Sequence, residues 1–84
     1  MTKKELMATK WAKEFKKDNP NIFAYNEAIN IAMIPSLPVI IYRTDENGEW
    51  VWAIEPVNVA GFWMGAKKTK KESMKLCDEM GWVY

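Results

Sequence analysis

The chain contains no histidine and only one cysteine, Cys77. Without histidine it lacks the usual neutral-pH general base and the commonest metal ligand, and one thiol cannot complete a Cys/His zinc site. Nor can one cysteine form an internal disulfide, the covalent staple of small secreted domains, so a reducing, intracellular setting is expected. Glycine and proline number four each, with no glycine-rich phosphate loop among them. Long apolar runs are missing as well. The longest uncharged stretch, Ala28 to Tyr42, is interrupted by Asn30, Pro35, Ser36 and Pro38 and falls short of the ~20 residues that span a bilayer, so no membrane segment is expected. The N-terminal "MTKKELMATKWAKEF" has no continuous apolar core of a secretory signal. No close pair of titratable groups stands out as general acid and base, so the reading is of a noncatalytic chain with no cofactor and no metal.

With 84 residues, Met1 to Tyr84 are expected to form one α+β domain. A domain of this size buries only about 60% of the surface its unfolded chain exposes, so each large apolar side chain weighs heavily in stability. Five tryptophans are present, three of them within "GEWVWAIEPVNVAGFWMG".

Charge is segregated although the net value is only +1. Six lysines face two acids up to Lys17; Arg43 stands against six acids from Asp18 to Ala66; five lysines face Glu72 from Lys67 to Lys75. Two basic blocks thus flank an acidic middle.

Thr2 followed by Glu5 fits a capping box and opens a first helix whose apolar stripe is Met7, Trp11 and Phe15. "DNPN" breaks it, because proline disfavours helical geometry for the residue before it. Ile22 to about Met33 is read as a second helix, on its alanines and its apolar spacing of three and four. "VIIYRT" and "EWVWAIE" around "DENG" predict an antiparallel hairpin, since Asn-Gly favours the tight turn whose twist matches the strands. "FWMGA" supplies a third strand, and "TKKE" at Thr69 to Glu72 predicts a second capping box opening a C-terminal helix that ends at Gly81. The expected fold is two N-terminal helices, a three-stranded antiparallel sheet, and a C-terminal helix packed on that sheet.

Alternation places Trp50, Trp52 and Ile54 on one sheet face, where the stripes of the capped helices are expected to bury them. If Phe62 and Met64 point inward, Trp63 turns outward as a contact anchor, a role in which tryptophan is enriched. Trp82 and Tyr84 lie beyond the last helix, either as a staple or as part of the same contact surface. Asp45, Glu46 and Glu49 surround a turn without the ligand spacing of a calcium loop, and they read as an exposed negative knob suited to a basic partner. Lys67, Lys68, Lys70 and Lys71 span a helix start and could contact phosphates, although the acidic hairpin opposes a polyanion. Cys77, on its helix's apolar stripe, reads as a buried thiol rather than a nucleophile.

The hairpin with Asn-Gly at its tip, the third strand and then "TKKESMKLCDEMGW" resemble the ending of many small intracellular proteins encoded by bacteriophages and other mobile elements, over Val39 to Trp82. The resemblance implies a stoichiometric binder that blocks or redirects a host protein, including defence systems of the anti-CRISPR kind. The leading expectation is therefore a cytoplasmic protein-binding inhibitor or adaptor using Trp63 with Asp45, Glu46 and Glu49, or Trp82 and Tyr84. The alternative is nucleic-acid binding through Lys67, Lys68, Lys70, Lys71 and the basic first helix. Self-association through a sheet edge is compatible with either.

Overall fold

The computed structural model describes Met1 to Tyr84 and falls into two compact units, Met1–Pro35 and Ser36–Tyr84. The first holds α1 (Lys3–Met7), α2 (Lys10–Asp18) and α3 (Ile22–Ala32). The second holds β1 (Val39–Glu46), β2 (Glu49–Pro56), β3 (Gly65–Lys67) and α4 (Lys70–Met80). No helix is long and apolar enough to cross a membrane.

The predicted first helix is two helices. The Thr2/Glu5 capping box forms as expected, with both reciprocal bonds present. At Thr9 the chain breaks, because its hydroxyl donates to the Leu6 carbonyl at 2.6 Å and accepts from the Ala12 N–H at 3.2 Å. A threonine side chain here replaces the helical bonds with a local turn and caps α2. The break alters the stripe: Leu6 is buried and Met7 exposed, whereas Trp11 and Phe15 stay inside with their rings 5.7 Å apart. Asn21 caps α3 by accepting from the Phe23 and Ala24 N–H groups. Tyr25, Ala28 and Ile29 give α3 a buried face, and α1, α2 and α3 pack on one another.

In the second unit the strand order is β1-β2-β3, antiparallel throughout. The turn between Glu46 and Glu49 carries Asn47 at φ 53° and Gly48 at φ 85°. That pair of positive values is the requirement that selects Asn-Gly in a two-residue hairpin. β1 and β2 pair over their full length, but β3 pairs with β2 only from Trp52 to Ile54. The third strand is thus later and shorter than "FWMGA" predicts. Phe62 and Trp63 belong to the connecting loop, and Met64 reaches β2 through one bond from its N–H to the Ile54 carbonyl at 2.7 Å.

α4 packs on this sheet as expected. The Ser73 hydroxyl donates to the Trp52 carbonyl at 2.7 Å, which ties the first turns of α4 to β2. A Cβ added at Gly65 would lie 3.1 Å from Leu76 Cδ2 and 3.7 Å from Ile54 Cδ1, so glycine sets how closely helix and strand approach. Gly65→Val is expected to cost about 1–3 kcal/mol by overpacking, read as a lower urea midpoint at unchanged slope. The last residues close the other side of the unit: Val83 pairs in parallel with Pro38, with Val39 N–H donating to the Val83 carbonyl and Val83 N–H to the Leu37 carbonyl, both at 2.8 Å.

Candidate functional site

The register places Ile41, Arg43 and Asp45 on the same sheet face as Ile54, Trp52 and Trp50, respectively. Along this face burial decays toward the tip. Ile54 is fully buried, Trp52 half-buried, and Trp50 62% exposed. The expected burial of Trp50 is therefore corrected, and the cause is cover. Both β3 and the α4 contacts reach β2 at Trp52, so beyond it the hairpin continues as a two-stranded ribbon with nothing above Trp50.

The exposed indole is nevertheless held. The guanidinium carbon of Arg43 lies 4.8 Å from the Trp50 ring centroid, a cation–π contact between diagonal neighbours of adjacent strands. Lys70 Nζ stands 5.7 Å from the Trp52 ring, and Lys67 pairs across from Trp52. Asp45 sits directly opposite Trp50, and Glu46 opposite Glu49, all three carboxylate side chains being exposed. The tip therefore combines one ordered aromatic, one guanidinium and three acids.

Other predicted residues are not gathered there. Trp63 is half-buried on a hydrogen-bonded chain: its Nε1–H donates to the Tyr42 hydroxyl at 2.7 Å, and that hydroxyl donates to Glu55 Oε1 at 2.8 Å. Tyr42 and Glu55 alternate to the sheet face opposite Trp50, so Trp63 anchors its own loop and does not share a surface with the tip. Burial, then the bond to Glu55, pushes the Tyr42 hydroxyl pKa up.

Trp82 is 4% exposed, which removes it from the contact surface and makes it the staple. Its backbone N–H donates to the Cys77 carbonyl at 2.9 Å, where Gly81 at φ 75° turns the chain off α4. Tyr84 is exposed, its hydroxyl donating to Asp78 Oδ1 at 3.1 Å. Because Val83 pairs beside Val39, this segment lies at the far end of β1, roughly 24 Å from Glu46 at ~3.4 Å per residue. The tip and the chain's last residues cannot form one patch.

The basic block is divided among a strand end at Lys67, a turn at Lys68, and the first turn of α4 at Lys70 and Lys71. Thr69 caps that helix by accepting from the Glu72 N–H at 3.2 Å, and its hydroxyl donates to Glu72 Oε1 at 3.0 Å. The capping is thus one-sided, because the Glu72 carboxylate meets the hydroxyl rather than the backbone. An acid already occupies the positive end of this helix.

No group of three His, Cys, Asp or Glu side chains converges as a metal site. Cys77 is fully buried, and burial first, with the Asp78 carboxylate second, pushes its thiol from an ordinary 9.0 to about 11. Native Cys77 should resist alkylation at neutral pH and react once denaturant opens the fold. The folded state keeps this proton where the unfolded state loses it, so stability is full below pH 9.0 and declines as pH rises toward about 11. The loss is on the order of 2 kcal/mol, and urea melts at about pH 8 and about pH 10.5 should differ less in Cys77→Ala.

Sequence reasoning missed Trp50 and Arg43 as site residues. A partial signal was present: the hairpin strands are longer than the strand run that follows, so some of the hairpin had to go uncovered, but the β2–β3 register alone puts that part at the tip. No protein-family model matches the chain, and no curated protein or solved structure does either.

Proposed function

We propose that the chain is a noncatalytic, cytoplasmic protein-binding module that engages a basic partner surface with the tip of the β1–β2 hairpin. The observation that carries this reading is Trp50, a large ring left 62% exposed yet fixed by Arg43. Holding an exposed aromatic in one orientation lowers the ordering cost of association, and Trp and Arg are the side chains most enriched among residues that dominate binding energy. Asp45, Glu46 and Glu49 then steer the tip toward a cationic surface. In keeping with the phage-type resemblance, such a module acts stoichiometrically, as an inhibitor or adaptor of a host protein.

The test is affinity capture from bacterial lysate with immobilised wild type, Trp50→Ala and Trp63→Phe. A stoichiometric partner retained by wild type and Trp63→Phe but lost by Trp50→Ala supports the reading. Equal retention by all three removes it.

The Lys70 contact on Trp52, with Lys67 opposite, favours a second reading, in which a nucleic-acid strand stacks on the sheet beside a lysine track. It ranks below the first because the acids at the tip repel phosphate. Titration with single- and double-stranded oligonucleotides at low salt decides it: affinity falling steeply with salt and with Lys70→Glu supports it, and no binding ends it.

A further inference from the structure

β1 is the first strand of the sheet, and its outer edge is used only at its beginning, by Val83. Since the Val39 N–H points away from β2 to reach Val83, period-two alternation aims the N–H and C=O groups of Ile41, Arg43 and Asp45 the same way. Arg43 and Asp45 are exposed, and the Asp45 carboxylate forms no ion pair within the chain. An open edge of this kind is a template for another strand. At its beginning, this edge already takes backbone bonds from Val83 in an isolated bridge.

We infer that this edge pairs with β1 of a second copy of the chain, antiparallel, with Arg43 of each copy opposite Asp45 of the other. The charges select this register among those that bring outward-facing backbone groups together. Centring the two-fold axis on Arg43 sets two guanidiniums against each other, and centring it on Asp45 sets two carboxylates against each other. Centring it on Thr44 makes both pairs opposite in sign, with Thr44 facing Thr44 across the axis as a favourable close pair. In that register each Arg43–Asp45 pair exchanges both of its backbone N–H···O bonds, and the two three-stranded sheets become one continuous sheet. Asp45 then flanks Arg43 on the side away from Trp50, leaving both copies of Trp50 exposed on a common face. A same-sign pair of residues on this edge would guard it against self-pairing; an alternating pair instead makes it self-complementary.

Sedimentation velocity over a micromolar-to-millimolar series tests this on the full chain. Wild type should dimerise reversibly and more weakly as salt rises. Asp45→Arg or Arg43→Asp, which turn both pairs repulsive, should raise the dissociation constant about tenfold or more, and the double swap Arg43→Asp/Asp45→Arg should restore association. Arg43→Pro removes an outward N–H without touching the β1–β2 ladder and should abolish the dimer. Should Arg43→Pro melt the fold by circular dichroism, the charge variants decide. Trp50→Ala should leave dimerisation intact, which separates this inference from partner binding. A wild type monomeric throughout, or a dimer indifferent to the charge reversals, overturns it.

Discussion

Trp82→Ala is expected to be the most damaging single truncation in the strand-and-helix unit, costing ~3–5 kcal/mol in urea unfolding. An 84-residue fold has about 4–12 kcal/mol in total at the usual stability per residue, so this variant stands near the threshold of folding. The magnitude follows from position. Trp82 buries its ring where the chain leaves α4 and meets β1, between the bond from its own N–H to Cys77 and the Val83 bonds to Leu37 and Val39. Removing the indole leaves a cavity and also loosens the Val83 bridge that covers the start of the β1 edge. Tyr84→Ala, which removes an exposed ring with one 3.1 Å bond to Asp78, is expected to cost under about 1 kcal/mol. A Trp82→Ala variant as stable as Tyr84→Ala would refute the staple.

Trp50→Ala should behave in the opposite way. The ring is mostly in solvent, and the contact it loses with Arg43 is of the exposed cation–π kind, worth about 0.5–1 kcal/mol, so the melting curve should hardly move. Partner affinity should fall about thirty-fold, equivalent to the ~2 kcal/mol that defines a dominant interface residue. Calorimetry with the captured partner reads this directly. Trp63→Phe is the informative control. It deletes the N–H donor to Tyr42, which should lower stability by about 1 kcal/mol and leave binding unchanged. If Trp50→Ala binds as wild type does while Trp63→Phe does not, the contact surface lies on the Tyr42–Glu55 face and the hairpin tip is inert.

These two tryptophans show what separates local from global information. Each is a large ring beside glycine or strand residues, and hydrophobicity assigns both to the same role. One is buried, on a stretch of backbone bonded to the end of α4 and to the start of the β1 edge. The other stays outside because β3 has only Gly65 to Lys67 to offer and ends at Trp52. Trp63 shows a third outcome, since alternation alone could turn it outward, whereas a Tyr42–Glu55 pair on the sheet face supplied a partner for its N–H. That pair is thirteen residues apart in sequence and is visible only through the β1–β2 register.

What the amino-acid order determined alone was local: the Thr2 and Thr69 caps, the Gly81 exit from α4, the Asn47–Gly48 turn with the hairpin on either side, and the α+β class with its helix-sheet-helix order. Each is a contest between a side chain and a few neighbouring backbone groups, so short spacing suffices to predict it. Thr9 belongs to the same physics, a hydroxyl that wins the bonds of its own helix, although the apolar stripe running through it suggested continuity. Only the tertiary structure decided which aromatic rings are wet, where β3 ends, and that Trp82 lies a full strand's length from the acidic tip. Those are questions of which surfaces run out of cover, and cover comes from residues distant in the chain whose meeting depends on register and helix placement rather than on any nearby pattern.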